Sequence, residues 1–167
     1  RGILHRDIKP ANVLVTSEGV PKLADFNISF SSNLDGATAD AFFGGSLTYM
    51  SPEQLEACHP AYERQPESLD GRSDLYSLAV MLWELLTGKR PFVDGKEKGP
   101  ITKSLDAMLV RRRKGLDEET LASIPKNCPP GLVRVLRKCL ESDRDKRWAS
   151  GAELAQQLDL CRFPRAQ

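Results

Sequence analysis

Four residues near the start of the chain have side chains that are suited to catalysis: Asp7, Lys9, Asn12 and Asp25. A carboxylate can orient or accept a proton, and a lysine ammonium can neutralise negative charge. Aspartate and asparagine oxygens can hold a hard cation. A single charged residue in a loop is more often only a solvated charge. The four residues must therefore be judged by the elements and motifs around them.

A short β-hairpin is predicted between Asn12 and Asp25. Residues 13–15 and 22–26 are two short apolar runs, and residues 16–19 between them are turn formers. A hairpin turns the chain back antiparallel to itself, so we expect Asp25 to return to the neighbourhood of Asn12.

Most of the remaining chain is predicted to be helical. Residues 51–54 form a capping box with proline at the first helical position. Residues 74–87 are apolar on nearly every face, so this helix is expected to be buried centrally and to end at Gly88. Amphipathic spacing predicts a helix over 130–141, and a capping box at 150–153 begins a last helix.

The predicted connections between these elements are long. Residues typical of loops, without sustained periodicity, occupy 27–50, 89–100 and 123–130. A loop as long as 27–50 inside a compact domain is usually functional or mobile. The pattern as a whole predicts a mainly helical chain with one small hairpin.

Composition argues against two classes of partner. The chain has 167 residues with 24 basic and 23 acidic side chains, which gives a net charge of +1. This balance does not favour bulk binding to nucleic acid or to an anionic membrane. Acidic residues at 117–119 follow the basic run 111–114, so we interpret the run as a solvated helix face. No apolar run approaches the roughly 20 residues that cross a bilayer.

The cysteines favour a reducing compartment. Cys58, Cys128, Cys139 and Cys161 form no CxxC pair, and neither histidine stands at ligand spacing from any of them. We therefore expect reduced thiols in a cytoplasmic protein rather than a disulfide framework or a zinc site. A membrane anchor of the parent protein would have to lie outside this chain.

Several motifs together resemble the catalytic domain of protein kinases. Residues 5–12, HRDIKPAN, match the catalytic-loop pattern H-R-D-x-K-x-x-N, and residues 25–27, DFN, stand where the family has the metal-binding D-F-G. The sequence of the loop is similar to that of the eukaryotic-like serine/threonine kinases of bacteria. Further matches follow in the family's order: SPE at 51–53 for A-P-E, SDLYSL at 73–78, LLTGKRPF at 85–92 and DRDKR at 143–147.

The resemblance implies a protein-kinase-like α+β fold. Residues 1–160 would be the mainly α-helical large carboxyl-terminal lobe with a small β-hairpin, and residues 161–167 a tail or the start of a linker. The family's small β-rich amino-terminal lobe, with its Gly-rich loop and strand lysine, is not found in the sequence. Most of the helix that precedes the catalytic loop in the family is missing too. By resemblance it covers one side of the central helix, so its loss is expected to leave an exposed apolar patch.

The implied activity is ATP-dependent transfer of the γ-phosphate to Ser/Thr hydroxyls of protein substrates, including autophosphorylation. The resemblance makes Asp7 the catalytic base and lets Lys9 neutralise charge on the γ-phosphate. Asn12 and Asp25 would bind Mg²⁺, with Mn²⁺ as an alternative. Leu14 would form part of the floor beneath the adenine of ATP. No nucleic-acid partner is implied.

The same resemblance implies roles for residues that support the site. His5 and Phe26 would stack in the hydrophobic column that aligns the active site. Asp74 would hold the backbone of the catalytic loop from the start of the central helix. Glu53 would form a buried ion pair with Arg147, and loss of either partner of such a pair is costly.

A regulatory role is implied for Arg6, which precedes the catalytic aspartate. A phosphate on the segment after the hairpin would carry a charge of about −1.5 to −2, pair with Arg6 and order the loop. Thr38 is the first candidate for that phosphate, ahead of Ser31 and Ser32.

Three residues depart from the family pattern. Asn27 replaces the glycine of D-F-G, and asparagine tolerates positive φ better than most residues. Ala79 replaces the usual glycine of the central helix. Ser46 stands where threonine is usual, and its hydroxyl could still bond Asp7 and Lys9. None of these changes removes a catalytic group.

Two functions of different classes remain open from the sequence. Retention of the four candidate site residues favours an active serine/threonine kinase as the parent protein. The alternative is a pseudokinase or lobe fragment that acts as a protein-binding scaffold. The 167 residues alone are expected to be inactive, because the small lobe is missing from them.

Overall fold

A two-stranded hairpin and six α-helices form the regular structure of residues 3–26, 46–95 and 97–162, which the computed structural model describes. This agrees with the mainly helical chain predicted from the sequence. The elements in chain order are β1 (Val13–Val15), β2 (Pro21–Leu23), α1 (Pro52–Cys58), α2 (Gly71–Thr87), α3 (Ile101–Lys114), α4 (Glu118–Ala122), α5 (Pro130–Cys139) and α6 (Gly151–Leu160).

The hairpin pairs β1 and β2 antiparallel, with Val13 opposite Leu23. The contact extends one step beyond the strands, because the N–H of Ala24 donates to the carbonyl of Asn12 at 2.9 Å. The residue before Asp25 is therefore in direct contact with Asn12, as the hairpin prediction requires. Strand β2 ends at Leu23, three residues before the end of the apolar run.

Helix α2 begins at Gly71, three residues before its predicted start, because Asp70 caps it. The Asp70 carboxylate accepts the N–H of Arg72 at 2.9 Å and satisfies one of the free donors of the first turn. The helix ends as predicted at Gly88, whose φ of 74° suits glycine. Leu85 is exposed, so burial of this helix is incomplete in its last turn.

The main hydrophobic core lies where α2 packs against α5 and α6. Tyr76, Val80 and Trp83 of α2 are almost fully buried there, together with Val135 and Leu136 of α5. The indole N–H of Trp148 donates to the carbonyl of Val135 at 3.2 Å. A second cluster joins α1 to α3 through Leu47, Leu55, Leu105, Met108 and Leu109.

The basic run 111–114 at the end of α3 is not the solvated helix face that the sequence indicated. Arg112 is completely buried, and its Nη2 lies 2.6 Å from the Asp94 carboxylate. The same guanidinium donates to the carbonyls of Thr48 and Met50 at 3.1 Å each. Arg113 is half exposed. The interpretation was wrong for Arg112, because its partners lie far away in the sequence.

No helix in the described parts of the chain is both long and apolar enough to cross a membrane. All four cysteines are free thiols in the structure. Burial raises the pKa of the Cys58 and Cys139 thiols to about 12, so these two side chains behave as small apolar groups at neutral pH.

We expect Arg112→Leu to destabilise the domain by about 3–5 kcal/mol, because it leaves a buried Asp94 carboxylate without its main partner. The matched control is Arg113→Leu, which removes a half-exposed pair with Glu56 and should cost about 1 kcal/mol or less. Urea unfolding followed by the fluorescence of the buried tryptophans measures both. Equal losses in the two variants would contradict a buried role for Arg112.

Candidate active site

Side chains from two helices form hydrogen bonds with the backbone of residues 5 and 6. The two carboxylate oxygens of Asp74, in the first turn of α2, accept the N–H groups of His5 and Arg6 at 2.8 Å each. The side-chain amide of Gln54 in α1 donates to the carbonyl of Arg6 at 2.9 Å. Arg6 has a φ of 66°, which is strained for a residue with a side chain. The three hydrogen bonds hold the loop in this conformation.

The ring of His5 connects the loop to the end of the hairpin. Its Nδ1 accepts the N–H of Asp7 at 3.3 Å, so the proton of a neutral ring is on Nε2. Nε2 then donates to the carbonyl of Ala24 at 2.9 Å. The ring is buried and lies 4.7 Å from the ring of Phe26, at an angle of 51°. The structure thus brings His5 and Phe26 into contact.

Asp7, Lys9, Asn12 and Ser46 form one hydrogen-bonded group. The Lys9 ammonium lies 2.8 Å from Asp7 Oδ2 and also donates to the hydroxyl of Ser46 at 2.8 Å. The Asn12 amide donates to Asp7 Oδ2 at 3.0 Å and to the Asp7 carbonyl at 2.8 Å. Both Asp7 and Lys9 remain partly exposed, so the carboxylate can be reached from solvent.

Asp25 follows the hairpin with an exposed side chain and a φ of 60°. Arg6 and Asp25 are the two non-glycine residues with positive φ in the described chain, and both lie at this site. Strain of this kind costs about 1–3 kcal/mol and is concentrated at functional sites. The fold therefore supports an unfavourable backbone at two residues of the candidate site.

The oxygens of Asn12 and Asp25 have the right chemistry for Mg²⁺. Because the Asn12 amide nitrogen is used by Asp7, its Oδ1 faces away from that bond and makes none of the hydrogen bonds found among the described residues. The described residues contain no group of three or more His, Cys, Asp or Glu side chains that could hold a metal alone. Mg²⁺ is commonly bound through one or two carboxylates together with substrate phosphates and water.

Several apolar side chains of the hairpin, the residues after it and α2 face solvent. Leu14 of β1 is 61% exposed, Phe26 is 52% exposed and Leu85 of α2 is 72% exposed. Val15 and Leu23 of the hairpin are exposed as well. Leu85 agrees with the apolar exposure expected on the central helix, and the exposed hairpin residues add apolar surface that the sequence did not predict.

Glu53 and Arg147 form a buried ion pair that ties α1 to the segment before α6. Arg147 Nη1 lies 2.6 Å from Glu53 Oε1, and Nη2 lies 2.9 Å from Oε2. The hydroxyl of Ser73 donates to Oε1 at 2.8 Å. Burial raises the pKa of the Glu53 carboxyl, but the hydrogen bonds and charge of Arg147 outweigh this and hold the pKa below its usual value.

Comparison with known proteins identifies the family. The model of the protein kinase domain matches residues 1–158. The chain belongs to the protein kinase domain family. It is 33% identical over 160 residues to a probable serine/threonine-protein kinase of Clostridium perfringens and 33% identical over 158 residues to the probable serine/threonine-protein kinase PknB of Bifidobacterium longum. The resemblance to bacterial serine/threonine kinases is confirmed at this level.

The kinase relatives are much longer than this chain. The matches cover 95% and 91% of this chain but only 20% of each of the two relatives just named. The serine/threonine-protein kinase PknB of Mycolicibacterium smegmatis is 32% identical over 168 residues, which are 99% of this chain and 24% of that protein. The chain thus spans about a fifth to a quarter of these proteins.

Sequence reasoning missed one residue that positions the kinase loop. Gln54 was assigned only to a capping box, which it does form with Ser51, but its amide nitrogen also holds the carbonyl of Arg6. The complete burial of Gln54 indicates this role in the structure, and no feature of the sequence alone indicates it. Asn27 and Thr38, with the alternatives Ser31 and Ser32, lie outside the described residues.

Glu53→Gln should make the stability of the kinase domain less dependent on pH. The folded-state pKa of Glu53 is lowered, so the ion pair contributes fully above the unfolded pKa of about 4.3. That contribution is lost as the pH falls through the lower folded pKa. We expect the variant to be less stable by on the order of 3 kcal/mol at pH 7, and the difference to shrink on acidification.

Urea unfolding at a series of pH values measures this difference. The exposed Glu63 provides the matched control, since Glu63→Gln should leave the pH profile unchanged. A difference between wild type and Glu53→Gln that stays constant down to acid pH would contradict the pairing argument.

Proposed function

We propose that the parent protein is a serine/threonine kinase that transfers the γ-phosphate of ATP to protein hydroxyls, and that this chain supplies its catalytic residues. The observation that carries the proposal is the Asp7 carboxylate, paired with Lys9 and Asn12 at 2.8–3.0 Å in a loop that Asp74 anchors. Lys9 at this position also favours Ser/Thr kinases over tyrosine kinases.

Asp7 is the proposed catalytic base. Lys9 and Asn12 both bind its Oδ2, while Oδ1 makes none of the hydrogen bonds found among the described residues. An oxygen left available in this way can accept and orient the hydroxyl proton of a serine or threonine substrate. The two partners of Oδ2 also restrict rotation of the carboxylate, which keeps Oδ1 directed away from them.

Lys9 is placed to neutralise negative charge beside that base. Its ammonium has one carboxylate partner and one hydroxyl partner, Asp7 and Ser46. A lysine has three donors, so one donor remains for a phosphate oxygen. Ser46 lies at the end of the segment after the hairpin, and its hydroxyl links that segment to the catalytic loop.

Asn12 and Asp25 would hold Mg²⁺, or Mn²⁺ in its place. When bound, the ion neutralises charge on the phosphates of ATP and orients them for transfer. Asn12 is buried and fixed by Asp7, whereas Asp25 is exposed at the end of the hairpin. Leu14 would lie beneath the adenine, and its exposed position on β1 leaves it free for such a contact.

We assign residues 1–160 to the large lobe of the kinase domain and residues 161–167 to a tail or linker. The helical fold with one hairpin supports this assignment, as do the exposed apolar side chains of Leu14, Phe26 and Leu85. In an intact kinase domain these side chains would be covered by neighbouring parts of the domain and by nucleotide.

Asp7→Asn should lower the rate of phosphate transfer by about 10²–10⁴-fold, because the amide cannot accept the proton. The assay follows phosphate incorporation from labelled ATP into a Ser/Thr protein substrate, with the full-length parent protein. The exposed Asp143, which caps a short turn between α5 and α6, provides the control Asp143→Asn. Equal incorporation by wild type and Asp7→Asn would reject catalysis and favour the protein-binding scaffold.

The proposed regulation pairs Arg6 with a phosphate on Thr38. The Nε of Arg6 is buried and has no hydrogen-bond partner among the described residues, which supports a role in binding an added anion. Incubation of the parent protein with ATP should phosphorylate Thr38, and Thr38→Ala should lower activity several-fold more than Ser31→Ala. Mass spectrometry and the transfer assay measure the two effects. Absence of any phosphate in residues 27–50 would contradict the proposal.

A further inference from the structure

A concave groove with an apolar floor lies on the side of α5 that faces α4. Leu121 of α4, Ile124 and Pro125 of the following loop, and Val133 of α5 line it. Its volume is about 710 Å³, within the range of sites that accept sizeable ligands. We refer to these residues and the cations described next as the α4–α5 groove. Nothing in the proposed phosphate transfer uses it.

The other side chains that line the α4–α5 groove are mostly basic. One carboxylate, Glu141, is found among the described lining residues. Five cations also line the groove: Lys126, Arg134, Arg137, Lys138 and Lys146.

These cations lack the close carboxylate partners that several arginines have elsewhere in the protein. Arg72, Arg113 and Arg147 each have a carboxylate within 2.9 Å. None of the five groove cations has a carboxylate of the described residues within 4.0 Å. Lys138 instead lies with its ammonium 3.7 Å from the centre of the Trp148 ring. The groove is therefore a local excess of unpaired positive charge on a nearly neutral chain.

We propose that the α4–α5 groove binds an acidic segment of a partner protein that carries large apolar side chains. The apolar residues of that segment would enter the floor, and its carboxylates would meet the surrounding cations. Unpaired charges at the edge of an apolar groove increase the association rate and select the partner by charge complementarity. An apolar segment bound in a groove is an established mode of peptide recognition.

The shape and composition of the groove favour a peptide over other anionic macromolecules. A bilayer presents a broad surface that does not enter a concave groove, whereas single side chains do. Nucleic-acid sites commonly add aromatic side chains on which bases stack, and no aromatic residue lines this groove in the described chain. The apolar floor also has no counterpart in a purely phosphate-binding site.

The test uses the full-length parent protein and a short fluorescein-labelled peptide that alternates glutamate pairs with single leucines. Fluorescence polarisation measures Kd. We expect binding that weakens steeply with salt, and a Kd raised at least about 10-fold by Arg134→Glu with Arg137→Glu. Lys126→Glu should also weaken binding. Because Lys126 lies in a loop, this change does not alter the stability of a helix. Circular dichroism shows whether the variants remain folded.

Matched controls separate the alternatives. Lys89→Glu with Lys103→Glu changes the same charge at exposed positions outside the groove and should leave Kd unchanged. Peptides with glutamine for glutamate, or serine for leucine, should bind weakly. Undetectable binding of the acidic leucine peptide, or equal binding by the groove and control variants, would overturn the proposal. So would groove-dependent binding of phosphatidylglycerol vesicles or single-stranded DNA without binding of the peptide.

Discussion

The carboxylate of Asp74 joins α2, the central helix of the main hydrophobic core, to the loop that carries Asp7. Each of its oxygens accepts one backbone N–H, from His5 and from Arg6. Hydrogen bonds to a charged group contribute about 1.5–3 kcal/mol each, and the positive φ of Arg6 costs about 1–3 kcal/mol. The two bonds are therefore large enough to offset the strain. Without them the loop would lose the backbone that aims Asp7.

Two buried ion pairs extend this rigidity to segments that flank the site. Glu53 and Arg147 are 94 residues apart and connect α1 with the approach to α6. Arg112 of α3 binds Asp94 and also the carbonyls of Met50 and Thr48, just before α1. Both guanidiniums therefore satisfy backbone carbonyls as well as a carboxylate, which is what makes a buried charge tolerable. The segment leading into α1 is held from two sides.

The protein distributes its charges in two distinct ways. Near the catalytic loop and at the helix junctions, cations are paired within hydrogen-bond distance of carboxylates, so their charge serves the fold. At the α4–α5 groove the cations surround apolar surface without such partners. A net charge near zero conceals this difference, because it sums both populations. Function at each place depends on local arrangement rather than on the total.

Local sequence determined the elements whose stability depends on neighbours a few residues away. The Ser51 capping box, the glycine stop at Gly88 and the hairpin were predictable because caps and turns use short-range hydrogen bonds and backbone preferences. Motif order likewise pointed to the loop that contains Asp7. Only the tertiary structure decided that Arg112 is buried and that Gln54 holds the loop. Their partners lie 18 to 64 residues away in the sequence. No local pattern encodes which distant carbonyl or carboxylate a polar side chain will meet in the folded chain.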